Sequence, residues 1–148
     1  MNVSSHKTLT FAQFLIINSQ LAHISDTWAD LWALIYYTGL SVGRLLALRY
    51  EDISGDSMLI REHGRLKALR IGLTPPVMTI LNRRRDKYPE DVFVFQSHSN
   101  RVKNECRSVT VIAFNTALRN AAKSIPEISV SSSSARKVTY FWVINTSM

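Results

Sequence analysis

The sequence predicts one mainly helical domain carrying a small antiparallel β-sheet, an α+β fold. Apolar residues recur at helical spacing in stretches on both sides of the chain's middle. Between them, 58–62 and 68–73 alternate apolar and polar side chains, as half-buried strands do. The 148 residues are 46% hydrophobic and 20% charged, enough for one core, and no linker or repeat divides residues 1–148 into two domains.

The elements follow in order. Residues 1–8 read as a loose arm. Thr10 is suited to cap a helix whose apolar positions are Phe11, Phe14, Leu15, Ile17, Leu21 and Ala22. Ser25 or Asp26 caps a second, with Trp28, Leu31, Trp32, Leu34 and Ile35 on one face. Gly39 ends it, because glycine accepts the left-handed conformation there. A short third helix turns Val42, Leu45, Leu46 and Leu48 inward. Residues 51–56 form a turn, and His63-Gly64-Arg65 closes the hairpin. Thr74-Pro75-Pro76 opens a helix through Val77, Met78, Ile80 and Leu81. Its end, Arg83-Arg84-Arg85, is expected to be solvated, with charge that complements the helix dipole. Val92–Phe95 reads as a short buried strand and 96–108 as a basic loop. A helix spans 109–123, a serine-rich connection 124–134, and a final helix runs from Ser134 to about Ile144.

Net charge is +7, which favours an anionic partner, nucleic acid ahead of a membrane surface. The single cysteine, Cys106, excludes an internal disulfide and fits a reducing, cytoplasmic setting. The polar first ten residues lack the apolar core of a signal peptide, and Leu31–Tyr37 is too short to span a bilayer. His6, His23, His63 and His98 show no metal-ligand spacing, so no metal or cofactor is expected. The run Ser131–Ser134 has no histidine or acid beside it to make a nucleophile.

Three ordered segments carry a resemblance. Residues 37–53, Tyr-Thr-Gly-Leu-Ser-Val-Gly-Arg-Leu-Leu-Ala-Leu-Arg-Tyr-Glu-Asp-Ile, are similar to a Thr-Gly-Leu-Arg-Ile-x-Glu-Leu-x-x-Leu-x-Trp-x-Asp-Ile pattern. The hairpin 58–73 running into Leu73-Thr74-Pro75 resembles paired strands ending in Pro-Leu. Ser131-Ser132-Ser133-Ser134-Ala135-Arg136-Lys137 resembles a His-x-Leu-Arg-x-Thr segment. These are segments of the tyrosine recombinase (phage integrase) catalytic domain, and together they place residues 10–148 within that pattern.

The resemblance implies a DNA-cutting chemistry whose parts are incomplete here. In that family a tyrosine attacks a DNA phosphodiester while two arginines hold the phosphate through paired guanidinium bonds. A hairpin lysine protonates the leaving oxygen and a histidine assists. Ser41 stands at the first arginine and cannot supply a charged fork. Arg44 stands at the following acid, with reversed sign; it either reaches the phosphate, or pairs with Glu51 or Asp52 on the surface. Ser133 stands at the histidine. The second arginine is kept as Arg136. Lys67 is the best match to the lysine, with Arg65 next. No residue matches the tyrosine: Tyr140 lies one helical turn from Arg136, and the chain stops a dozen residues beyond it. The N-terminal clamp domain of the family is likewise expected to be missing.

Three readings follow. The favoured one is a non-cutting, DNA-binding relative in which Arg44, Arg65, Arg101, Lys103 and Arg107 join Arg136 and Lys67 on the backbone of duplex DNA. It would be an accessory or regulatory factor, or a mobile-element remnant. The second is a recombinase whose tyrosine comes from another chain or a missing C-terminal segment. The third is an interaction module that pairs with itself or an intact recombinase through Phe141, Trp142, Val143 and Ile144.

Overall fold

A computed structural model describes residues 9–99, 105–126 and 128–138. Helix α1 (Phe11–Ile24) starts in a capping box: the Thr10 hydroxyl accepts from the Gln13 amide, and the Gln13 side chain accepts from the Thr10 amide. Ser25 then serves two helices. Its amide donates to the Leu21 carbonyl, and its hydroxyl caps α2 (Asp26–Thr38) by accepting from Thr27. α2 is the central element, packing on α1, α3, α4 and the 134–137 turn. Leu31, Trp32, Leu34 and Ile35 on it are fully buried. The Trp32 indole N–H is satisfied by the Phe14 carbonyl at 3.2 Å, so burying this ring leaves no orphaned donor. Trp28, on the same face, is half-buried against Phe114.

Gly39 ends α2 with φ of 72°, and the chain turns through Leu40 and Ser41 into α3 (Val42–Leu46). Instead of the expected turn over 51–56, a 3-10 turn at Tyr50–Asp52 leads into β1 (Ile53–Ser54). β1 pairs antiparallel with β2 (Ser57–Ile60), which pairs antiparallel with β3 (Leu69–Gly72), in the order β1-β2-β3. Met58 and Ile60 are buried, so the period of two along β2 turns one face onto the core. Beyond the strands, His63 and Leu66 exchange two backbone hydrogen bonds around Gly64-Arg65. Gly64 takes φ of 59°, as a glycine in the first central position of a two-residue loop can.

α4 (Pro75–Lys87) begins on proline and packs Val77, Ile80 and Leu81 inward against α2. The segment 92–95 is buried at Val94 and Phe95, yet it is not a strand. It hydrogen-bonds the chain at Leu48–Tyr50 through Val94 to Leu48 and Tyr50 to Val92, giving one isolated bridge, Arg49 with Phe93. The stems of the following loop meet at Gln96 and Ser108. α5 (Val111–Ala121), capped by Thr110, packs on α1 and ends in a 3-10 turn at Ala122–Ser124. The expected final helix is replaced over 134–137 by a 3-10 turn, after which Val138 is extended. Its remainder, with Tyr140 and the apolar residues Phe141–Ile144, lies outside the described residues, as do residues 1–8. No helix among the described residues is long and apolar enough to cross a membrane.

Candidate phosphate-binding rim

The Gly39–Gly43 junction is where the fold gathers side chains from three separate parts of the chain. The 134–137 turn packs on α2, and this brings the Arg136 guanidinium to the junction, where Nε donates to the Gly39 carbonyl at 2.8 Å. Arg136 is exposed, and its two terminal nitrogens have no partner among the described residues. One nitrogen therefore anchors the group and leaves the terminal fork able to receive an oxyanion.

Arg44 brings the hairpin to the same place. Its Nη2 donates to the carbonyls of Arg61 (3.2 Å) and Lys67 (2.7 Å), one on each arm of the hairpin. At 6% exposure it is a bolt between α3 and the hairpin. This corrects the expectation for Arg44. It neither lies on the surface to contact a phosphate nor pairs with Glu51 or Asp52. Arg61 takes that pairing, with Nη2 at 2.8 Å from Asp52 and 3.2 Å from Glu51. Burial alone would raise the Asp52 pKa, but the Arg61 fork and the Arg49 amide outweigh it and hold the carboxyl below its usual value.

The other expected residues divide. Arg65 and Lys67 are exposed on the hairpin, and neither side chain has a partner among the described residues. Ser41 is half-buried, and its hydroxyl, wholly shielded, finds no hydrogen-bond partner among them. Ser133 is exposed, with its hydroxyl 3.1 Å from that of Ser131. Arg107 sits apart from the rim in the 96–108 stem and is paired with Glu105. Arg101 and Lys103 lie outside the described residues. No group of three or more His, Cys, Asp or Glu among the described residues is placed to hold a metal.

The Arg83–Arg85 run is also corrected, because its middle member is in the core. Arg84 is 1% exposed. It donates to the Val94 carbonyl (2.9 Å), Asp30 (3.0 Å) and the Thr27 hydroxyl (3.1 Å), and its cation lies 5.2 Å from each of the Tyr88 and Phe95 ring centres. Arg83 takes the other Asp30 oxygen at 2.6 Å. Arg85 lies over the Tyr50 ring, whose hydroxyl is pushed up in pKa by burial. The signal was in the spacing: Val77, Leu81 and Arg84 fall on one helix face, so the apolar stripe runs into the arginine.

No family model matches the chain, and no curated protein matches it. Solved structures do. A lambda integrase dimer bound to a COC' core site superposes with a TM-score of 0.69 over 88% of this chain, at 14% identity, and this chain covers 38% of it. A second lambda integrase dimer on the same kind of core site matches with a TM-score of 0.69 over 88% of the chain, at 17% identity, with 49% of its length covered. The chain thus spans less than half of each integrase. The fold is that of a tyrosine recombinase-like domain, as the three ordered segments implied.

Proposed function

We propose that this domain binds the phosphate backbone of duplex DNA through the rim at the α2–α3 junction and does not cut it. The observation that carries the reading is the exposed Arg136 fork, without a partner among the described residues, on a recombinase-type fold, with Lys67 and Arg65 on the hairpin that Arg44 bolts alongside. These contacts would be sequence-independent and would weaken steeply with salt, as counterions compete for the phosphates. Ser41 and Ser133 supply neither the second charged fork nor the imidazole that strand cleavage would need. An accessory, regulatory or remnant role in DNA recombination follows from that loss, in a cytoplasmic setting and with an intact recombinase or a second copy as further partner.

The test is duplex binding as a function of salt. Measurable affinity at low salt, falling linearly on logarithmic axes, is the expected result. No affinity at low salt removes the reading. The competing enzyme reading draws on Arg136 and Lys67, exposed and without a side-chain partner among the described residues beyond the Gly39 carbonyl, as groups that could serve a tyrosine from another chain. Suicide DNA substrates, with this protein alone and with an active recombinase mixed in, separate the two. A covalent adduct that depends on this protein would establish the enzyme.

A further inference from the structure

We propose that His63, seated on the side-chain-free surface of Gly43, is a phosphate-contacting residue of the rim. The inference rests on the DNA-backbone reading above and adds a residue to the hairpin side of the rim. A Cβ built on Gly43 would meet the His63 imidazole at 2.9 Å from both Cε1 and Nε2. That is closer than a real Cβ can come, so the ring occupies the space that any other residue at position 43 would fill. Two features fix it there. The His63 backbone is locked by its paired hydrogen bonds with Leu66. The hairpin as a whole is held by Arg44 through the carbonyls of Arg61 and Lys67.

The ring is in a position to take part in anion binding. His63 is exposed, and its imidazole nitrogens have no hydrogen-bond partner among the described residues. It lies at one end of the Gly39–Gly43 junction and Arg136 at the other. Four residues of chain separate these ends by at most about 14 Å, so the two groups border the same rim. Between them is Ser41, whose shielded hydroxyl lacks a partner among the described residues. Ser41 and Ser133 have replaced the arginine and histidine of the recombinase pattern. His63 restores an imidazole donor to the same rim from a different element.

Gly43 supplies a clean test, because the colliding atoms are the far end of a side chain. Gly43→Ala should swing the ring away and leave the backbone in place. Binding of a short duplex at low salt is measured for wild type, His63→Ala, Gly43→Ala, His63→Lys and, as a control on α1, His23→Ala, with thermal melts to confirm folding. Loss of one charge-assisted contact corresponds to roughly tenfold weaker binding. That loss is expected for His63→Ala and Gly43→Ala, with His63→Lys and His23→Ala near wild type. Wild-type affinity in His63→Ala or in a folded Gly43→Ala overturns the role of His63 while leaving the DNA reading standing. Failure of the wild-type protein to bind the duplex at all overturns both.

Discussion

Two clusters of cations in this molecule are built from the same side chains and do opposite work. At the α2–α4 contact, Arg83, Arg84 and Lys87 meet Asp30 and Asp26, and the polar side of Arg84 is filled. At the α2–α3 junction, Arg136, Lys67 and Arg65 face no carboxylate among the described residues. The chain has 18 Lys and Arg against 11 Asp and Glu, so cations are in excess. What matters is where the fold leaves them. It places acids from α2 opposite α4 and, among the described residues, pairs none with the 134–137 turn, so charge is structural in the first region and available in the second.

The largest expected effect is at Arg84. Arg84→Met should cost about 3–5 kcal/mol, because Asp30 would be left as a buried charge with half its partners gone. Arg84→Lys should also destabilise, since a point charge cannot serve three acceptors in the directions a planar fork does. The urea midpoint measures both. A shift near zero for Arg84→Met would break the comparison, because Arg84 would then be no more structural than Arg136.

Arg44→Met should cost less, about 1–3 kcal/mol, from two orphaned carbonyls. Its signature is local: amide exchange should quicken in 61–67 with α2 unchanged. Uniform quickening across the domain would mean that Arg44 is a core residue rather than a bolt for the hairpin.

The acid response comes next. Asp26 and Asp52 have lowered pKa values: burial works against them, and Lys87 with Tyr88 at Asp26, and Arg61 with the Arg49 amide at Asp52, outweigh it. A carboxylate with a lower pKa in the folded state stabilises fully above its unfolded value of about 4. That stabilisation is lost as pH falls through the folded values. Stability should therefore hold near neutrality and decline below about pH 4. Asp52→Asn should flatten the decline, and urea midpoints taken across pH would show it.

The smallest effect has the opposite sign. Gly43→Ala should raise stability by about 0.5 kcal/mol through the lower backbone entropy of the unfolded chain, provided the His63 ring swings clear. A melt that rises while duplex affinity falls would sharpen the comparison, since it separates what holds the rim together from what binds to it.

Local signals in the sequence were strong where one residue decides one backbone feature. Thr10, Ser25, Gly39, Gly64 and Pro75 place the helix boundaries and the hairpin tip, because caps and turns act over a few residues. They failed where burial without pairing imitates a strand, at 92–95, and where apolar spacing near the chain's end suggested a helix over residues that form a 3-10 turn. The candidate site was legible in part. The order of three segments named Arg136 and Lys67, which the structure leaves exposed, whereas the burial of Arg44 and Arg84 was not foreseen. The use of an arginine depends on which carbonyl or acid faces it, and for Arg84 that partner, Asp30, is 54 positions away.

The sequence by itself determined the class of fold, the boundaries of most elements and the absence of a second arginine fork at Ser41. Those follow from periodicity, capping and residue identity, all of which act within a few residues. Only the tertiary structure decided which cations are spent and which are open. Pairing is settled by distance in space, as when Arg136 crosses to Gly39, or when the bare backbone of Gly43 makes room for an imidazole twenty residues further on.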